Sequence, residues 1–134
     1  MAISVKSMIV NDGKLLIVKR ADTNSYKPGI WEIPGGRIVE NEDLILGLFR
    51  EIKEETGLDI RVNREINVRD FKRDDKQEIE MHIFLCNAIS DSIILSKEHS
   101  KYLWIELTKS KSKLTPFFHQ EVDLLLDLEN ERWP

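Results

Sequence analysis

The chain has 134 residues, 41% hydrophobic and 33% charged, with a formal net charge of −4. That length suits a single domain, residues 1–134, with a core of its own. The acidic balance argues against the basic stripe of a dedicated nucleic-acid surface, and a lone cysteine, Cys86, excludes an internal disulfide.

Cys86 ends the apolar run Ile83-Phe84-Leu85-Cys86 and reads as a buried core thiol. No apolar stretch is long enough to span a bilayer. Met1 to Val5 lacks the charged start and cleavage pattern of a signal peptide. The expected location is therefore cytoplasmic, without a membrane partner.

In chain order, Ile3–Val10 and Leu15–Val18 are apolar, β-rich runs around Asn11-Asp12-Gly13-Lys14, a hairpin turn. Ala21–Gly29 is polar and reads as a loop, with Pro28-Gly29 as breaker. Ile30–Ile33 is a short strand, stopped by Pro34-Gly35-Gly36. Glu42–Thr56 reads as a helix with Asn41 as N-cap, Glu42 and Asp43 in the positive first turn, and Gly57 as its stop. Ile60–Phe71 and Glu78–Ile89 are strands around the charged turn Arg73-Asp74-Asp75-Lys76, and Tyr102–Leu107 is another. A final helix starts at Thr115 or Pro116 and runs to about Glu129, with Phe118, Val122, Leu125 and Leu126 for its core face. Strands mixed with two helices predict a sheet sandwiched between helices.

The first helix carries the chemistry. At about 100° per residue, Glu51, Glu54 and Glu55 fall within a roughly 100° arc. Ile45, Phe49 and Ile52 form a different face that can pack on the sheet. Arg50 lies one turn before Glu54 and can pair with it. Gly35 and Gly36 let the preceding loop approach the glutamates closely. Three crowded carboxylates call for a cation, and magnesium prefers such oxygen ligands together with substrate phosphates. Taken alone, Glu-x-x-Glu-Glu is usually a solvated face. The longer pattern G-x5-E-x7-R-E-U-x-E-E-x-G-U, from Gly36 to Leu58 with U a bulky aliphatic, would match by chance on the order of once in 10^9 starting points.

Residues 36 to 58 resemble the signature box of the Nudix hydrolases, with every defining position filled. Trp31-Glu32-Ile33-Pro34-Gly35-Gly36 resembles the family's approach to that box, and the early hairpin resembles its first strands. The resemblance implies an α+β fold, an α/β/α sandwich with a mixed sheet. It implies hydrolysis of a nucleoside diphosphate linked to another group, with Mg2+ or sometimes Mn2+. By position, Glu51, Glu54 and Glu55 are then metal ligands, Gly35 offers its carbonyl, Arg50 orients the glutamates, and Glu42 supports the loop–helix geometry. The expected partner is a small nucleotide substrate, and the expected state is a monomer or homodimer.

In that chemistry water attacks phosphorus and a carboxylate takes the proton. Glu54 is one candidate base. Glu98, which precedes the strand holding Trp104, resembles an acidic ligand in a comparable loop of MutT-type members. Glu80, alternating with Ile79 and Met81 on a strand, is the weaker rival. Arg20, ending the second strand, resembles the MutT-type position whose arginine meets phosphate. His82, His99 and His119 have no metal-ligand spacing and read as structural or solvated. Trp31, Phe71, Phe84 and Phe118 could stack on a base but read first as core.

Subgroup marks are mostly missing. No proline lies between Pro34 and Pro116, unlike ADP-ribose hydrolases, and no tyrosine lies between the box and Tyr102, unlike dinucleoside polyphosphate hydrolases. The chain thus resembles the short MutT-like group that cleaves (deoxy)nucleoside triphosphates to monophosphate and pyrophosphate. Phe117-Phe118-His119 stands where members that read oxidised guanine carry an asparagine. The alternatives are hydrolysis of another nucleotide conjugate, or nucleotide binding without catalysis.

Overall fold

The computed structural model describes residues 1–132, with side chains through residue 129. Its strands are β1 (Ala2–Asn11), β2 (Lys14–Arg20), β3 (Trp31–Glu32), β4 (Gly35–Arg37), β5 (Ile60–Lys72), β6 (Glu78–Ala88) and β7 (His99–Glu106). Helix α1 is Leu44–Thr56 and α2 is His119–Arg132, the latter preceded by 3-10 turns over Leu107–Ser112 and Pro116–Phe118.

β1 and β2 form the expected hairpin, with Val10 opposite Leu15. They then splay apart. β1 runs parallel to β6 from Ala2–Ile79 to Ile9–Cys86, and β6 is antiparallel to β5. β2 pairs along its length with β7. The segment Trp31–Arg37 fills the split between the two strands. β3 pairs with β2, β4 pairs with β1, and Ser7 N–H donates to the Pro34 carbonyl at 2.9 Å where the segment crosses over. The parallel pairing of β1 with β6 among antiparallel neighbours makes the sheet mixed, as expected.

Both faces of the sheet are covered, which explains why the central strands read as continuous apolar runs. Leu16, Val5, Ile9, Phe84 and Cys86 meet Leu48 and Ile52 of α1 on one face. Leu15, Ile17, Met8, Met81 and Ile83 meet Phe118, Val122 and Leu125 on the other. Burying a side chain such as Ile52 contributes roughly 1.5–3 kcal/mol. The layers are therefore helix, sheet, helix.

Four local expectations change. Helix α1 begins two residues later than the sequence suggests, and its N-cap is Asp43, whose carboxylate accepts from Ile45 and Leu46 N–H at 3.0 and 3.1 Å. Asn41 instead takes a left-handed turn (φ 66°) that asparagine tolerates, and Glu42 lies outside the helix. Phe49 is 38% exposed; the face on the sheet is Leu48 and Ile52, with Leu44 and Ile45 beside them. Gly35–Arg37 continues as a strand rather than only ending one, because β1 offers it a free edge. β7 starts at His99, three residues before the expected Tyr102. Gly57 caps α1 as expected, in the left-handed conformation (φ 75°). Asp43→Ala is expected to lower stability by about 1 kcal/mol in urea unfolding, and an unchanged midpoint would show that the cap is not there.

Candidate active site

Helix α1 presents its carboxylates beside the Gly35–Gly36 segment in graded environments. Glu55 is buried, Glu51 is half-buried, and the Glu54 side chain is 59% exposed. Arg50 is their common counter-ion. It reaches Glu51 Oε1 at 3.0 Å, Glu54 Oε2 at 3.2 Å and Glu42 Oε2 at 2.7 Å, and also donates to the Arg37 carbonyl at 3.2 Å. The expected pairing with Glu54 is present, and Glu42 takes the shorter contact. Glu42 also accepts from Val39 N–H at 3.1 Å, which ties the loop to the helix. Gly47 makes room for it, since a Cβ there would lie 3.0 Å from Glu42 Oε1. Hydrogen bonds from Arg50 and Val39 hold the Glu42 carboxyl down at about 2.

The two glycines before the box are close-approach positions. A Cβ on Gly35 (φ 149°) would lie 2.1 Å from the Val5 carbonyl oxygen, and one on Gly36 would lie 2.2 Å from Glu51 Oε2. Gly35 meets the cluster through its N–H, which donates to Glu55 Oε1 at 3.3 Å.

Glu98 comes from 43 residues further along the chain than Glu55, yet a carboxylate oxygen of each and a ring nitrogen of His99 lie within 4.8 Å of one another. The loop before β7 is stapled to the end of α1. Ile94 and Ser96 N–H donate to the Thr56 and Glu55 carbonyls at 2.8 and 3.1 Å. These carbonyls of the last helical turn lack intrahelical partners, so the helix end itself anchors the loop. Ala21 N–H donates to the Glu98 carbonyl at 2.8 Å and locks the loop to the end of β2.

Beneath the carboxylates lies a buried polar cluster that the sequence reading did not assemble. Glu32 Oε2 accepts from Arg20 Nη1 at 3.0 Å and lies 2.8 Å from His99 Nε2, while Lys6 Nζ sits 3.5 Å from Glu32 Oε1. Burial pushes the Glu32 carboxyl up, but Lys6, His99 and Arg20 together bring it down to about 2. The signal was available: Lys6 and Glu32 are charges inside apolar runs, and buried charges require partners. Glu55 behaves oppositely. Burial pushes its carboxyl up to about 8, Lys6 and the Gly35 N–H oppose this, and the Glu32 and Glu51 charges add to it. Burial also raises Glu51, against Arg50, with Glu54 and Glu98 adding repulsion.

Arg20 sits beside Glu98 in a cleft also lined by Thr23, Asn24, Ser25 and Lys97. Its Nε donates to the Tyr26 carbonyl at 2.7 Å. Other singled-out residues are elsewhere. Glu80 lies 2.8 Å from His82 Nε2, and His82 Nδ1 contacts Glu65 at 2.9 Å. His119 contacts the Leu114 carbonyl at 2.9 Å. Phe84 and Phe118 are buried core, and Cys86 is a buried thiol that burial pushes up to about 11.

The residues fit a divalent cation. Burial together with neighbouring carboxylates raises Glu51 and Glu55, Glu54 and Glu98 add oxygen donors beside them, and a buried ring nitrogen, His99 Nδ1, has no hydrogen-bond partner among the described residues. Hard oxygen ligands in excess of their cations are what such an ion neutralises.

The NUDIX domain family matches residues 2–126. The nucleoside triphosphatase NudI of Escherichia coli K12 is 30% identical over 109 residues, covering 74% of this chain and 77% of that protein. The MutT protein of Methanosarcina mazei Go1 superposes with a TM-score of 0.81 at 27% identity, over 99% of this chain and 96% of that one. The MutT NUDIX hydrolase of Burkholderia pseudomallei gives 0.81 at 23% identity over 92% and 96%, a likeness of fold. Among the described residues, no helix is long and apolar enough to cross a membrane. With the box and the sandwich in agreement with these matches, the chain belongs to the Nudix family and is a MutT-like hydrolase.

Proposed function

We propose that this enzyme hydrolyses (deoxy)nucleoside triphosphates to monophosphate and pyrophosphate, with Mg2+ as its cation and Mn2+ as substitute. The observation that carries the reading is the convergence of Glu51, Glu54 and Glu55 of α1 with Glu98 of the loop before β7, balanced by Arg50. The similarity to a nucleoside triphosphatase supports the substrate class.

Glu51, Glu54, Glu55 and Glu98 would hold the cation, joined by the Gly35 carbonyl. A cation held there would supply positive charge to the pyrophosphate oxygens and lower the cost of activating a water. Arg50 keeps the carboxylates in position and prevents their mutual repulsion from spreading them. Arg20, already fastened by Glu32 and the Tyr26 carbonyl, contacts a phosphate oxygen, with Lys97 in the same cleft. Water oxygen bonds to phosphorus, the bridging P–O bond breaks, and pyrophosphate carries away the electron pair. The water proton goes to an exposed carboxylate of the cluster, Glu54 or Glu98.

Incubation with a panel of nucleoside triphosphates and nucleotide conjugates in Mg2+, read by 31P NMR, is expected to yield monophosphate and pyrophosphate. Turnover confined to sugar or dinucleotide conjugates would sink the triphosphate reading. Tight nucleotide binding without turnover in either metal would instead favour a binding module.

Metal binding is also expected to depend on pH. Between the ordinary carboxyl value of 4.5 and about 8, Glu55 is protonated in the folded chain and ionised in the unfolded one. The folded state then holds the extra proton, so without metal this group's stabilisation is complete below 4.5 and is lost as pH rises towards 8. The cation competes with that proton. Added Mg2+ is therefore expected to raise Tm more at pH 8 than at pH 6. An equal rise at both would show that Glu55 does not bind the metal.

A further inference from the structure

We propose that His99 Nδ1 is itself a ligand of the divalent cation, completing a mixed set with the Glu55 and Glu98 carboxylates and making the site favour Mn2+ and related first-row ions more than an all-oxygen set would. This rests on the reading of the glutamate cluster as a metal site.

The argument begins with backbone register. β2 and β7 pair residue for residue from Lys14–Glu106 to Lys19–Lys101, and then Arg20 pairs with His99. Ser100 is the extra residue of a β-bulge, a device that re-aims side chains near functional sites. Here it turns His99 inward directly after the exposed Glu98. The His99 side chain is only 1% exposed.

The ring's orientation follows from its neighbours. Glu32 Oε2 lies 2.8 Å from Nε2, and Lys6 and Arg20 hold that carboxylate in place. A carboxylate accepts, so Nε2 carries the hydrogen, and in the neutral imidazole Nδ1 then keeps its lone pair. That lone pair has no donor among the described residues, and Nδ1 lies 3.8 Å from Glu55 Oε1, too far for a hydrogen bond. A buried, unsatisfied acceptor is costly. Carboxylate on one ring nitrogen and metal on the other is the arrangement by which proteins orient a ligating imidazole. Glu32–His99 has the first half of it, aimed at Glu55 and Glu98. Imidazole nitrogen suits borderline transition ions, whereas carboxylates alone suit magnesium.

Pulsed EPR of the full-length protein loaded with one equivalent of Mn2+ tests this directly. Modulation from a bound imidazole 14N is expected, changing to the 15N pattern when the histidines are 15N-labelled. It should vanish in His99→Gln. Mn2+ affinity in that variant should fall on the order of 10- to 100-fold, with a smaller loss for Mg2+. His82→Asn removes the other histidine with carboxylate neighbours and should leave the coupling intact, so the labelled protein decides the matter even if His99→Gln fails to fold. Mn2+ bound without histidine-nitrogen coupling, or coupling that persists in His99→Gln, overturns the proposal while the glutamate site stands. Failure to bind Mn2+ at all overturns both.

Discussion

Glu54→Gln is expected to lower the turnover of a nucleoside triphosphate on the order of 10^3-fold, with the melting temperature nearly unchanged. Glu54 lies on the outer edge of α1, and its contacts in the cluster are with Arg50, at 3.2 and 3.3 Å. An exposed, isosteric replacement of this kind changes stability by about 0.5 kcal/mol or less. The amide keeps the shape and removes a negative charge aimed at the cation. Loss of one preorganised electrostatic group at a reacting centre costs on the order of 10^2- to 10^3-fold in kcat, and loss of a metal ligand lies at the upper end. Steady-state kinetics with thermal unfolding of the same sample is the check. Retained turnover would sink the metal-site reading of the box.

The second large effect separates two neighbouring glycines. Gly35→Ala is expected to destabilise the fold by about 3 kcal/mol or more, which for a chain of this size lowers Tm by roughly 10 °C. The new Cβ would meet the Val5 oxygen at 2.1 Å and Lys6 Cα at 2.7 Å, both backbone atoms of β1 that cannot yield, at a φ that disfavours side chains. Gly36→Ala meets the Glu51 carboxylate instead, at 2.2 Å. A side chain can swing away, so Tm should change little. Glu51 would then leave its place beside Arg50, and a displacement of about 1 Å at a reacting centre costs on the order of 10^2-fold in rate. Equal Tm losses in the two variants would contradict this division. Measuring Tm and kcat/KM for both decides it.

The local parts of this architecture are readable along the chain because their causes are local. The hairpin follows from Asn11-Asp12-Gly13, the helix stop from Gly57, and the two-sided sheet from apolar runs such as Leu15–Val18. The helix start is ambiguous along the chain because two acidic residues and an asparagine compete for it. Asp43 wins the cap because Glu42 is drawn off to Arg50, a contact that exists only once the loop folds back. Phe49 falls outside the packed face because helical periodicity allows several apolar arcs, and only docking on β1 and β6 selects Leu48 and Ile52. The strand Gly35–Arg37 has no local propensity for one; its hydrogen-bonding partner lies some thirty residues earlier, in β1.

The same division runs through the site. The spacing of Arg50, Glu51, Glu54 and Glu55 is a property of one helix, so 3.6 residues per turn suffices to place them together, and the amino-acid order alone identifies the box. Which groups complete it is not a helical question. Glu98 reaches Glu55 because the end of α1 leaves two carbonyls for Ser96 and Ile94 to satisfy. His99 turns inward because of a bulge in β7, and Glu32 becomes its partner because β3 lies against β2, which in turn lies against β7. These are long-range closures driven by burial and by the need to pair buried polar groups. Residue spacing carries no record of them until the sheet has formed.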